Sequence, residues 1–454
     1  MVRYDLALNQ GISNRVEIQK MKKDILIIHR TTSFCPDCQV VHPARYEQRE
    51  NEIYFIVDCP QKQFIRLISR DAELFKKFSA RANYHIDDPP EFPGYRHVNV
   101  LEITNDCNFQ CRFCLSSSNT DGIKKYKSLD EIIEIGKTIR KQKGYAVTIS
   151  GGEPTLHRQL PQIVRSLKSL GLTVNMASNG YLLGRNVELA GILKRNGLGS
   201  VQIQLDSINE ATHLKHRNNT CIKEKIDALR NCIQAGLRVV VVITVTRYNL
   251  NELGDLIRFC LQFIPHLYII SLQVYFPTGH TELEEERMVD REEIVKSIEA
   301  HPELSRILNS EFFRPLPIFR PMRMEVHPNC GVLSIILLEK GHIYPMDDLV
   351  DMPLFYSRLA KAKMKWLPIW IGYMALFYFL LTASHKGKRA KVLKAIYGYG
   401  RGKGDCSLLL ITIEQFMHFR FQDEQRASRC ATAIRAKEGI MQRGCWANRT
   451  SVFS

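Results

Sequence analysis

LEITNDCNFQCRFCLSSSN, residues 101–119, brings Cys107, Cys111 and Cys114 within eight residues, directly after a run with the apolar character of a β-strand. A structural zinc site takes four ligands, commonly as two pairs, and no fourth thiol lies nearby. Three thiolates suit a four-iron cluster instead. They hold three corners and leave one iron without a protein ligand, open to bind and activate a small molecule.

The rest of the chain sets the frame for that loop. It has 454 residues, 45% of them hydrophobic, enough for two or three domains and a sizeable core. MVRYDLALNQGISNRVEIQKMKK, at the start, carries no apolar run followed by a small-residue cleavage site, so a cytosolic location is expected. There the thirteen cysteines stay reduced, and their short spacings favour metal ligands over disulfides. A net charge of +16 implies an anionic partner without saying which.

Three regions follow from the pattern. Residues 1–95 hold short β-like runs (DILIIHR, EIYFIVDC) around CPDC and end in the proline-rich DDPPEFPGY, a linker composition. Residues 96–280 alternate strand-like runs (VNVLEIT, YAVTIS, LTVNMAS, SVQIQLDS, RVVVVITVT, LYIISLQVYF) with amphipathic helical stretches. That is an α/β fold, most economically a partial (β/α)6 barrel. Residues 281–454 are irregular and contain four well-separated cysteines.

In SVQIQLDS, Val201, Ile203 and Leu205 alternate with Gln202, Gln204 and Asp206, so one face of this strand is polar. Thr148 with Ser150, Thr244 with Thr246, and Gln273 with Tyr275 repeat the pattern. A closed barrel normally fills its interior with branched apolar side chains, so a polar interior implies a ligand. After the second strand comes SGGEPTL: Gly151 and Gly152 permit close backbone approach, Glu153 offers a carboxylate to an ammonium group, and Pro154 fixes the turn.

CxxxCxxC with Phe113 before its last cysteine, then GGEP, then SNG after the third strand, resembles the radical S-adenosylmethionine (SAM) superfamily. The resemblance implies a 4Fe-4S cluster on Cys107, Cys111 and Cys114. SAM would chelate the open iron, with Gly151, Gly152 and Glu153 around its amino group and Phe113, Asn179, Gln204 and Asp206 as further contacts. One-electron reduction, from a donor such as ferredoxin or flavodoxin, would then release a 5'-deoxyadenosyl radical that takes hydrogen from an unactivated carbon.

CPDC, VQIQLDS, NLNELGDLIRFC, HPNCG and IYPMDDLVD look like the archaeal family of tetraether lipid synthase and pterin dimethyltransferase. That likeness implies a rubredoxin-like mononuclear iron or zinc site on Cys35, Cys38 and Cys59. Lys62 stands where the family has histidine, and His42 is either the completing ligand or a plain surface residue. Cys330, Cys406, Cys430 and Cys445 are the complement of one auxiliary 4Fe-4S cluster, or in part core cysteines. Cys221, Cys232 and Cys260 fall in helical patterns and read as packing.

The run Trp366–Leu381, between lysine-rich flanks, spans about 24 Å as a helix, short of a bilayer's hydrocarbon core. It suits a helix lying on the inner face of an anionic membrane, one lining a greasy tunnel, or a buried core helix. The expected activity is carbon-carbon bond formation or methylation on a lipid-like substrate, a transferase reaction. The alternatives are a pterin methyltransferase, a peptide maturase and, from another class, a non-enzymatic zinc protein that binds nucleic acid. The last gives the GGEP glutamate and the polar interior no role, so no nucleic acid is expected.

Overall fold

The structure is a computed structural model and describes residues 25–443, apart from 36, 83–97, 120–121, 278, 285–286, 318–324, 363–368, 402–405, 418–420, 431 and 436–440. Six parallel strands form its centre: Val98–Thr104, Ala146–Gly151, Thr173–Ser178, Leu198–Gln204, Arg238–Val245 and Leu267–Val274. They are hydrogen-bonded in chain order. Helices cross between them, as parallel pairing requires. The helix Leu129–Lys141 starts at Ser128, whose hydroxyl accepts the Glu131 N–H, and buries Ile132, Ile135 and Ile139. These meet Leu101, Ile103, Val147 and Ile149 in one core, each burial contributing about 2 kcal/mol. Val201, Ile203 and Leu205 belong to the same core, which leaves Gln202 and Gln204 on the opposite, interior face.

The sheet does not stop at six strands. Cys406–Gln415 runs parallel to Leu267–Val274, Gly331–Glu339 pairs antiparallel with it, and His342–Pro345 turns back on that strand. Thr432–Arg435 lies parallel to Val98–Thr104 on the other edge. The part of the chain expected to be irregular thus extends the barrel sheet at both margins. CSLLLITIEQ and GVLSIILLE show no alternation because both faces of these strands are covered.

Upstream, Ile25–Phe34, Val41–Arg49, Glu52–Asp58 and Gln63–Ser69 form an antiparallel meander, the expected small β domain. Its edge is extended by Gln422–Asp423 from the other end of the chain. A second apolar core lies under the helices Met352–Lys361, Ile369–Thr382 and Arg389–Arg401. It sits where the barrel strands begin: Gly398 packs on the Cys406 carbonyl, and Tyr373 feels the charge of Arg238, first residue of the fifth strand. The apolar helix is therefore at the end of the barrel opposite the cysteine loop.

Candidate active site and metal centre

The cysteine loop is fastened at three places. Asn119 donates to the Cys107 carbonyl at 2.7 Å and accepts the Cys107 N–H at 3.2 Å. Phe113 and Cys114 pair antiparallel with Thr281 and His280, which close over the loop from beyond the sixth strand. Gly152 N donates to the Thr104 carbonyl at 2.7 Å and Glu153 N to the Asp106 carbonyl at 2.8 Å. This last contact explains the two glycines. Gly151 has φ +126°, and a Cβ on Gly151 or Gly152 would meet the Thr104 or Asp106 carbonyl oxygen at 2.1 Å. Their close approach is to the neighbouring loop's backbone.

Glu153 is wholly buried. Oε1 accepts from the Thr155 and Ser178 hydroxyls at 2.6 and 2.8 Å, and Oε2 from the Asn179 N–H at 2.7 Å. Its carboxylate thus welds the GGEP turn to the third-strand loop, and burial raises its pKa. Asn179 reaches back to the cysteine loop, donating to Asn108 at 2.8 Å with its Nδ2 3.9 Å from the Cys107 sulfur.

Asp206 anchors the other side. It accepts the Arg217 Nε–H at 2.5 Å and the Thr244 N–H at 2.7 Å, and Gln204 also donates to it. Burial opposes its charge, but Arg217 and His216 hold its pKa well below the usual carboxylate range. Arg217 also donates to Thr244 Oγ1 at 3.0 Å, sits 4.1 Å from the Phe113 ring centre and hydrogen-bonds Cys111. Lys225, fully buried, donates to the Asn179 and Gln204 carbonyls at 2.9 and 3.0 Å. Desolvation lowers its pKa to about 8. The sequence reading missed both cations. EATHLKHR looks like a solvated helix, and only the fold turns its last residue inward.

The site fits a cluster by its donor set. Burial, reinforced by Glu153, Cys111 and Cys114, pushes the Cys107 thiol up to about 12, a cost that cationic iron relieves.

Among the described residues, the group that does close within 4.8 Å is Cys35, Cys38, His42 and Cys59. Tetrahedral thiolates about 2.3 Å from one ion lie about 3.8 Å apart. Cys38 and Cys59 sulfurs are separated by 3.8 Å, and His42 Nε2 is 2.9 Å from Cys38. His42 thus stands with the three thiols as the fourth ligand of a candidate iron or zinc site. Lys62 turns away, over the Phe64 ring.

The later cysteines do not come together as the expected auxiliary site. Cys330 accepts the Arg426 Nε–H at 3.2 Å and has Cys430 as a neighbour. Cys406 is at the far end of its strand: Gly331 pairs with Glu414 but Glu339 with Cys406, eight steps or roughly 25 Å away. One cluster cannot take both Cys330 and Cys406. Cys445 lies outside the described residues. Cys232 and Cys260 are enclosed in the core, as packing requires.

Comparison with known proteins agrees with this geometry. The model of the radical SAM superfamily matches residues 101–260. The chain is 25% identical to 7,8-dihydro-6-hydroxymethylpterin dimethyltransferase of Methanocaldococcus jannaschii, over 88% of this chain and 89% of that one. It is 31% identical to a probable GTP 3',8-cyclase of Saccharolobus solfataricus, over 47% of this chain and 68% of that one. The crystal structure of Streptococcus suis SuiB with S-adenosylmethionine is matched at 17% identity and a TM-score of 0.38, over 42% of this chain and 43% of that chain. With its cysteine loop, GGEP turn and six-stranded array in matching order, the chain belongs to the radical SAM superfamily, whose members carry a 4Fe-4S cluster and SAM.

Proposed function

We propose that this radical SAM enzyme forms a carbon-carbon bond, methylation included, at an unactivated carbon of a substrate bearing a 2-aminopyrimidin-4-one ring. When bound, the cluster and SAM supply a 5'-deoxyadenosyl radical by one-electron reduction. In this reading Cys107, Cys111 and Cys114 hold the cluster. The backbone of Gly151–Glu153, with Asn179, Gln204, Asp206 and Arg217, surrounds SAM, and Phe113 fixes Arg217.

The observation that carries the substrate class is Glu414. It is half-buried, its partners are the neutral Ser271, Thr412 and Gln273, and enclosure raises its pKa. Register puts it beside Gln273, which lies beside Thr244, so Glu414 is about 10 Å, two strand spacings, from a residue that Arg217 contacts. Glu102, on the first strand, adds a second interior carboxylate. Its Oε1 accepts from Ser116 at 2.6 Å and its buried Oε2 has no hydrogen-bond partner among the described residues. A carboxylate pairs well with the adjacent N–H donors of a 2-aminopyrimidin-4-one. The hydroxymethylpterin and the GTP for which the two relatives are named both carry that edge. A lipid-like substrate finds no support here, because the apolar helix lies at the other end of the barrel.

The test is anaerobic turnover with reduced protein, SAM and either 7,8-dihydro-6-hydroxymethylpterin or GTP, products read by mass spectrometry. A mass-shifted product is expected with one of them. Glu414→Gln should lower it at least a hundredfold, leaving substrate-free SAM cleavage within about twofold, since buried donors lose their acceptor. No product from either compound, or full activity of the variant, contradicts the reading.

A further inference from the structure

We infer that the closed end of the barrel, opposite the cysteine loop, is a docking surface for an anionic lipid bilayer. The helix Ile369–Thr382 sets Leu376, Phe379 and Leu380 into the core beneath it. Its other side is just as apolar and faces out: Trp370 is 65% exposed, Met374 63% and Tyr378 61%, at helical spacings that make one stripe. The next helix adds Leu393 at 55% and Tyr397 at 59%. An apolar helix in a water-soluble fold is normally covered all round, so this face is one that something covers.

Charge selects the occupant. Between Asp351 and Asp405 the chain has 11 lysines and arginines and no carboxylate in 53 residues. Lys386, Lys388, Arg389 and Lys394 are exposed around the turn that joins the two helices. Aromatic and aliphatic side chains with a rim of cations match the interface of an anionic bilayer, where rings sit at headgroup depth and lysines meet phosphate. A nucleic acid would use the cations and the rings but not Met374 and Leu393. No helix among the described residues is long and apolar enough to cross a membrane.

This surface is independent of the substrate. A bilayer held at the closed end leaves the cysteine loop facing the aqueous side, so docking fixes where the enzyme works and not what it acts on.

Co-sedimentation of the full-length, cluster-loaded protein with vesicles of phosphatidylglycerol and phosphatidylcholine tests it, with pure phosphatidylcholine as control. Binding to anionic vesicles is expected, weakening at least tenfold from 50 to 500 mM salt. The quadruple variant Lys386→Gln, Lys388→Gln, Arg389→Gln, Lys394→Gln should lose at least tenfold at low salt. Trp370→Ser with Met374→Ser and Tyr378→Ser should lose binding at every salt concentration; these side chains point outward, and an unchanged SAM cleavage rate verifies folding. No sedimentation with either vesicle, or binding untouched by both variants, overturns the inference. So does a concentration-dependent dimer abolished by the serine variant, which gives the face to a second copy, or tight RNA retention lost in the glutamine variant.

Discussion

The Nε–H of Arg217 donates to Oδ2 of Asp206 at 2.5 Å, with 10% and 0% of the two side chains exposed. One ion pair thus ties the end of the fourth strand to Phe113 and Cys111 of the cysteine loop. Taking away one partner strands a buried charge, at roughly 3–5 kcal/mol. Arg217→Met should therefore lower the midpoint of thermal unfolding and cut SAM cleavage at least a hundredfold. Arg217→Met with Asp206→Asn should regain stability but not cleavage. A single variant as stable as wild type would show the pair to be solvated.

Removing His42 tests the second metal centre. With the cysteine loop replaced by alanine, the chain should retain about one iron or zinc per molecule, the complement of a four-ligand mononuclear site. Adding His42→Ala should weaken that binding 10-fold or more in a chelator competition, and His42→Cys should restore it. Equal retention in the histidine and alanine forms would return His42 to the surface.

Cys406→Ser should leave iron content unchanged, because register sets this thiol roughly 25 Å from Cys330. A loss of iron equal to one cluster would contradict the strand pairing of Gly331–Glu339 with Cys406–Gln415.

Stability should also depend on His213. Burial, with Lys225 nearby, lowers its pKa from 6.5 to about 4. The unfolded chain then binds more protons than the folded one between those values, so stability is full above about 6.5 and lost as pH falls toward 4. The contribution lost from pH 6.5 to 5 is about 1–2 kcal/mol. Thermal melts at the two pH values should show that fall, and His213→Asn should flatten it. An unchanged slope would place the proton uptake elsewhere.

The cysteine loop, GGEP turn and six strands were legible because each depends on local spacing: three thiols in eight residues, a Gly-Gly after a strand, alternation in VQIQLDS. What was not legible depends on chain segments far apart. Arg217 faces inward only because its helix ends against the fourth and fifth strands, where Asn218 turns the chain with φ 55°. Cys330 and Cys406 looked equivalent in sequence, and only antiparallel register separates them. The late strands were hidden because runs buried on both faces show no period.

The most direct test of the three-thiol site is 5'-deoxyadenosine formation by anaerobically reconstituted protein with dithionite and SAM, alongside iron and sulfide analysis. Wild type should form 5'-deoxyadenosine. The Cys107→Ala, Cys111→Ala, Cys114→Ala variant should lose about four irons and four sulfides, the content of one cluster, and form none. Undiminished 5'-deoxyadenosine from the variant would contradict the assignment.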